Sequence, residues 1–304
     1  MRRWIALLLL CCLLTGCSAA PAEPSAPPET PPAPSEPAPA PAPLTPAQVP
    51  EEPPCSLALD MVEREDGVLG DDGTELAQYR IRVPRLTALR GDGTAIETGE
   101  TEAETRALAA AETFNAQFES WTGQENLQEL EKMAREEWAW RQEADMPWST
   151  AFSEELACQA YQTEGMVSVA GDYYSYTGGA HPNTVLMAWN FDLERGDFIA
   201  PEQLAEDSGA LSQAVYEEIL RQIDQWAADN GMEAEDLFWE NYREIAADWT
   251  SYAVSFDEAG MTVGFSPYEL AAYAAGPQVF RMDYGFLEPL LSEEGRALLG
   301  LAEE

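Results

Sequence analysis

The chain has 304 residues, 45% of them hydrophobic, with 9 Trp, 11 Tyr and 10 Phe. That supply is ample for a packed core and excludes disorder of the chain as a whole. Its 16 Lys and Arg stand against 55 Asp and Glu, a net charge of −39. Such a charge excludes nucleic acid and anionic membrane surfaces as electrostatic partners. A cationic protein or a multivalent cation is the natural attractant, although a solvated acidic surface with no specific partner fits the same charge.

Residues 1–16 read as a lipoprotein signal peptide. Arg2 and Arg3 supply a positive start, and Trp4 to Leu14 form a short apolar run. Eleven residues as a helix fall well short of a hydrocarbon core roughly 30 Å thick. Leu14-Thr15-Gly16-Cys17 then has the small residues and the cysteine that a lipoprotein-specific peptidase needs. Cys17 is therefore the expected lipidated N-terminus. It places the protein outside the cytoplasm, anchored through palmitate-type acyl chains to the outer face of a bacterial cell membrane.

Residues 17–54 carry that lipid and a Pro/Ala/Glu-rich tether, for example Pro31-Pro32-Ala33-Pro34-Ser35-Glu36-Pro37. This composition builds no core and favours extended polyproline II, a stiff spacer of up to about 100 Å.

The folded part is expected at 55–304, as an N-terminal α+β subdomain, 55–147, and a second one, 148–304. Leu57, Leu59 and Met61 alternate as in a strand, and so does Tyr79 to Pro84; Gly70-Asp71-Asp72-Gly73 and Gly91-Asp92-Gly93 are turns. Thr101 and Glu104 have capping-box spacing ahead of a helix carrying Leu108, Ala111, Phe114 and Phe118. A second helix fits Glu125 to Glu143. Strands are expected at 157–169 and 184–193, the latter with Val185, Met187, Trp189 and Phe191 on one face. Leu211, Val215, Ile219, Ile223 and Trp226 mark a long helix that Gly231 stops, and a shorter one fits Asp236 to Ala247. A hairpin around Asp257-Glu258-Ala259-Gly260, a strand near Val279–Met282 and a short helix close the chain. Local strand pairing with helices inserted in blocks predicts an α+β fold with a mainly antiparallel sheet and two closely associated subdomains.

The catalytic inventory is thin. His181 is the only histidine and there is no Cys-x-x-Cys, so neither a zinc site nor any other metal centre is expected. No nucleophile elbow, Walker loop or dinucleotide fingerprint is present, and no cofactor or catalytic residue is assigned. Paired carboxylates for glycan hydrolysis remain an alternative, but 55 acidic residues make any one pair uninformative. Cys55 and Cys158 are an even pair in an oxidising location, which fits either a disulfide or two buried thiols.

The distinctive segment is Tyr176-Thr177-Gly178-Gly179-Ala180-His181-Pro182-Asn183, followed by Asn190-Phe191-Asp192-Leu193. Physically it is a hairpin: two glycines permit positive φ, Pro182 fixes the exit, and Asn183 can bond its own backbone. His181 is read either as a structural histidine satisfying loop carbonyls or as a ligand or acid/base. Gly178, Gly179, His181, Pro182, Asn183, Asn190 and Asp192 resemble the hallmark of the RsiV-like domain family, domain of unknown function 3298. Phe265-Ser266-Pro267-Tyr268-Glu269-Leu270, with Tyr273 and Gly276, resembles that family's closing motif. Residues 56–145 are similar to the partner domain that precedes it, domain of unknown function 4163. The resemblance implies an α+β fold without catalytic residues of its own. It implies a surface binding lipoprotein, with lysozyme-like cationic proteins or wall glycan as partners. Pro267, Tyr268 and Tyr273 are then candidate contacts, against the plainer reading that the tyrosines pack a sheet edge. An envelope scaffold is the third alternative.

Overall fold

The computed structural model describes residues 55–301. The signal, the lipidation at Cys17 and the tether lie outside the described residues. Two β-sheets, of six and three strands, are each packed with helices, so the fold is α+β and mainly antiparallel, with two subdomains.

The first sheet begins with β1 (Cys55–Leu69) and β2 (Glu75–Arg90), a long antiparallel hairpin. Its tip is closed by Gly73 at φ 85° and by Asp72, whose carboxylate accepts the Thr74 N–H at 2.9 Å. Helices α1 (Glu102–Thr122) and α2 (Glu125–Glu143) follow and carry the chain over the sheet to β3 (Phe152–Gln162). That crossover is why β2 and β3 pair in parallel; the remaining pairs in the sheet are antiparallel. β4 (Met166–Tyr176), β5 (Asn183–Asp192) and β6 (Asp197–Phe198) complete the order β1-β2-β3-β4-β5-β6. The sheet thus takes strands from both sides of Pro147. The apolar face of α1 (Ala110, Ala111, Phe114, Phe118) is buried on it, and Phe114 meets the ring of Phe191 edge-on at 5.2 Å.

Helix α1 starts as its spacing predicts. Thr101 accepts the Glu104 N–H at 3.2 Å. Glu104 reaches back to the Glu100 N–H (2.8 Å) and accepts from Arg90 Nε at 2.7 Å. The Glu100 N–H, and then Arg90, hold this buried carboxyl below its ordinary range.

The second sheet is β7 (Ala253–Asp257), β8 (Gly260–Phe265) and β9 (Gln278–Asp283). The long helix α3 (Ser208–Asn230) shares a core with it through Leu211, Val215, Ile219 and Ile223. Asp207 caps its start, accepting the Gly209 N–H at 2.9 Å, and Gly231 ends it at φ 65°. Short helices α4 (Tyr242–Ala247), α5 (Tyr284–Leu287) and α6 (Glu293–Leu298) fill the flanks.

A buried polar bridge joins the sheets. Ser168 on β4 donates to Asn190 Oδ1 (2.8 Å), Asn190 Nδ2 donates to the Val254 carbonyl on β7 (2.8 Å), and Ser168 Oγ accepts the Phe256 N–H (2.7 Å).

Two expectations change, and one pair of open alternatives narrows. The strand expected at 157–169 is two strands, because Thr163 turns the chain. Its Oγ1 accepts the Gly165 and Met166 N–H groups, and its N–H donates to the Met166 carbonyl at 2.9 Å. The helix expected from Asp236 shrinks to α4. Phe238 instead bridges Ala271 and the Trp239 N–H donates to the Leu270 carbonyl, which holds this stretch extended. Cys55 and Cys158 are not bonded, since Cys158 is a free buried thiol. β1 meets β3 at Gln162, which donates to the Leu57 carbonyl at 2.8 Å. Cys158 lies four residues back along that strand, roughly 13 Å, beyond disulfide reach. Burial pushes its thiol up to about 12.

Candidate binding surface

The β4–β5 hairpin presents His181. Gly178 and Gly179 turn the chain at φ 97° and 100°, and Tyr176 donates its hydroxyl to the Gly179 carbonyl at 3.3 Å. A side chain at either glycine would strain this turn. His181 then meets the Pro182 carbonyl through Nδ1 at 2.8 Å. A carbonyl accepts only, so Nδ1 carries the proton, and in the neutral ring Nε2 is left as an acceptor. The Tyr268 hydroxyl donates to it, 3.1 Å from Nε2. Tyr273 stacks on the imidazole, with ring centroids 3.9 Å apart and planes 21° apart.

The loop after β8 delivers these two tyrosines. Ser266 is buried and accepts the Leu186 N–H of β5 at 3.1 Å, which fixes the loop onto the first sheet. Glu269 accepts the Ser266 N–H. Tyr268 adopts φ 73° and bonds through its N–H to the Ala271 carbonyl at 3.1 Å. For a bulky L-residue the left-handed conformation costs about 1–3 kcal/mol. Tyr268 is nevertheless 56% exposed. Trp239 completes the group: its indole N–H donates to the Tyr268 carbonyl at 3.1 Å and its ring is 37% exposed. The chain around Trp239 is acidic, with Glu233, Glu235, Asp236 and Glu240 all exposed.

The structure therefore brings His181, Tyr268 and Tyr273 together, although 87 residues separate the first two. Pro267 leads into the strained position and is half-buried. Asn183 pairs with Ser175 at the start of β5. Asn190 and Asp192 lie elsewhere. Asn190 belongs to the buried bridge between the sheets. Asp192 is buried under the turn to β6, accepting the Glu194 and Arg195 N–H groups at 2.9 Å each. Trp239 is the member that sequence reasoning passed over. The signal available was a Phe238-Trp239 pair after an acidic run, inside a stretch that reads as helix.

Chemically, the cluster offers aromatic faces and nearby carboxylates. Such a surface stacks on planar or apolar faces and attracts cations. Both imidazole nitrogens are already engaged by protein groups. Among the described residues no group of three or more His, Cys, Asp or Glu side chains is placed to hold a metal.

Fold and surface together define a two-sheet α+β protein with an exposed aromatic cluster where the second subdomain meets the first. A PdaC-like domain and a DUF3298 domain are present in it. Residues 74–184 match the family described as deacetylase PdaC, and residues 197–285 match the family described as protein of unknown function DUF3298. The hairpin glycines and His181 thus fall in the first match, and the Tyr268 loop in the second; Asn190 and Asp192 lie between the two. A crystal structure of a DUF3298-family member from Bacteroides fragilis NCTC 9343 shares the fold. It aligns at a TM-score of 0.53 and 13% identity, over 79% of this chain and 96% of that one. A DUF3298-family protein from Pseudomonas aeruginosa PAO1 aligns at only 0.39 and 14% identity, over 80% and 95% of the two chains. No curated protein matches.

Proposed function

We propose that this protein is a surface-anchored, non-enzymatic binding protein that captures a cationic wall-active protein of the lysozyme type outside the cell membrane. The observation that carries this reading is Tyr268, held in a strained conformation and still exposed, with His181, Tyr273 and Trp239 around it. Strain kept at an exposed aromatic is the mark of a contact residue rather than of packing. The net charge of −39 suits a basic partner through steering. The lipobox at Cys17 and the RsiV-like resemblance support a location at the membrane's outer face. The exposed rings of Trp239 and Tyr268 favour a second reading, wall glycan held by stacking.

The test is calorimetric titration of lysozyme into the unlipidated protein, from Ser18 onward, at low and high salt. The proposal expects saturable binding that weakens with salt, and a loss of about tenfold or more for Tyr268→Ala. Absence of saturable binding at low salt removes it. Co-sedimentation with purified wall that depends on Tyr268 and Trp239 would establish the glycan reading in its place.

A further inference from the structure

Among the described residues, no strand pairs with the outer side of β1 from Leu59 to Glu65. Leu86, opposite Leu59, gives its N–H and its carbonyl to the Asn115 side chain, each at 2.8 Å. The Leu59–Leu86 pair therefore exchanges no ladder bonds. By antiparallel alternation the same holds for Met61–Pro84, Glu63–Arg82 and Glu65–Arg80. Pro84 fits this register, because the N–H it lacks would have pointed away from β1, just past the last β2–β3 pair at Arg82. The N–H and carbonyl groups of Leu59, Met61, Glu63 and Glu65 consequently point off the sheet. Gln162 covers the Leu57 carbonyl; among the described residues no hydrogen bond reaches the backbone N–H or carbonyl of the four positions beyond it.

Proteins blunt such edges with proline, lysine, bulges or short strands. β1 uses none of these: it is 15 residues long, contains no proline or lysine, and keeps register until Val68. Acid is the one guard present. Asp60, Glu63 and Glu65 are exposed along the edge; Glu63 and Glu65 pair with Arg82 and Arg80 of β2 at 3.1 and 3.4 Å, yet their side chains stay 73% and 78% accessible. Like charges opposed across a strand pair are destabilising, so this guard repels a second copy of the same chain. It does not repel a basic strand.

We propose that the outer edge of β1, from Leu59 to Glu65, takes an extended basic segment of a partner protein as an added strand. Its open amides and carbonyls supply the ladder, and Glu63 and Glu65 select lysine or arginine at alternate positions. This surface is separate from the Tyr268 cluster and does not rest on binding there.

The probe is a synthetic peptide of alternating lysine and valine, about seven residues long. It is added to the protein from Ser18 onward, and amide exchange is followed by NMR. The proposal expects the Leu59, Met61, Glu63 and Glu65 amides to slow at least about tenfold, with little change at Asp60, Val62 and Arg64. A peptide N-methylated on its bonding face should give no protection, although its charge is unchanged. Glu63→Pro, which deletes one outward N–H and no β1–β2 bond, should weaken binding, while Tyr268→Ala should leave it intact. Three results would overturn the proposal: equal binding of the N-methylated peptide, binding without protection of these four amides, or protection that rises with protein concentration alone and so reports self-pairing.

Discussion

Tyr268 and His181 are joined by a hydrogen bond of 3.1 Å between residues 87 positions apart, on loops that belong to different sheets. The bond ties the β4–β5 hairpin to the loop after β8, and Tyr273 stacked on the imidazole closes the group.

The strain at Tyr268 separates two substitutions that both delete the ring. Tyr268→Ala keeps a side chain at φ 73°, whereas Tyr268→Gly removes the steric penalty. The glycine variant is expected to be more stable than the alanine variant by about 1 kcal/mol, read from urea unfolding. Equal stability of the two would mean that the backbone there is relaxed.

Asn190 is expected to be costly to remove. Asn190→Ala leaves the Val254 carbonyl without its side-chain donor and the Ser168 hydroxyl proton without its acceptor inside the interface between the sheets, although Ser168 Oγ still accepts the Phe256 N–H. A loss of roughly 2–4 kcal/mol in denaturant unfolding follows from stranding two buried polar groups. A loss below about 0.5 kcal/mol would show that water replaces the amide.

Tyr242 offers the opposite case. Its ring is buried and, among the described residues, its hydroxyl has no hydrogen-bond partner. Tyr242→Phe removes an unmet polar atom at little change of shape, so it should be neutral or stabilising by up to about 1 kcal/mol. A clear drop in Tm would reveal a partner for that hydroxyl in solution.

Glu104 should leave a pH signature. Its folded-state pKa is depressed by the Glu100 N–H and by Arg90. The stability it contributes is therefore present above its unfolded pKa, near the ordinary value of 4.5, and is lost as pH falls through the lower folded value. Between pH 5 and 3, thermal unfolding of Glu104→Gln should lose less stability than the parent does. Parallel curves would assign the acid sensitivity to other carboxylates.

Cys158 should resist alkylation. With its thiol pushed up to about 12 by burial, iodoacetamide at pH 8 is expected to leave it unmodified in the native protein and to label it in denaturant, as peptide mass spectrometry would show. A disulfide-linked peptide containing Cys55 and Cys158 would contradict the strand geometry.

The sequence by itself determined the local elements. The alternation around β1 and β2, the cap at Thr101, the α3 periodicity and its stop at Gly231 all follow from nearest-neighbour sterics and one-sided burial, which are written in short windows. The motif residues were legible as a group, but not their separate jobs. Only the tertiary structure sent Asn190 and Asp192 inward, as a bridge and a turn, and set His181, Tyr268 and Tyr273 on the surface together. It also drew Phe238-Trp239 out of a helical pattern, through bonds to Leu270 and Ala271 that no local window contains. The Thr163 turn escaped for a related reason: Thr-Glu-Gly continues the alternation, and Gly165 is pressed so close to Leu298 that a Cβ there would lie 2.8 Å from its Cα. Long-range hydrogen bonds and close packing decide such positions because their partners lie tens of residues away. Composition records how much can be buried, and periodicity which face, but neither records against what.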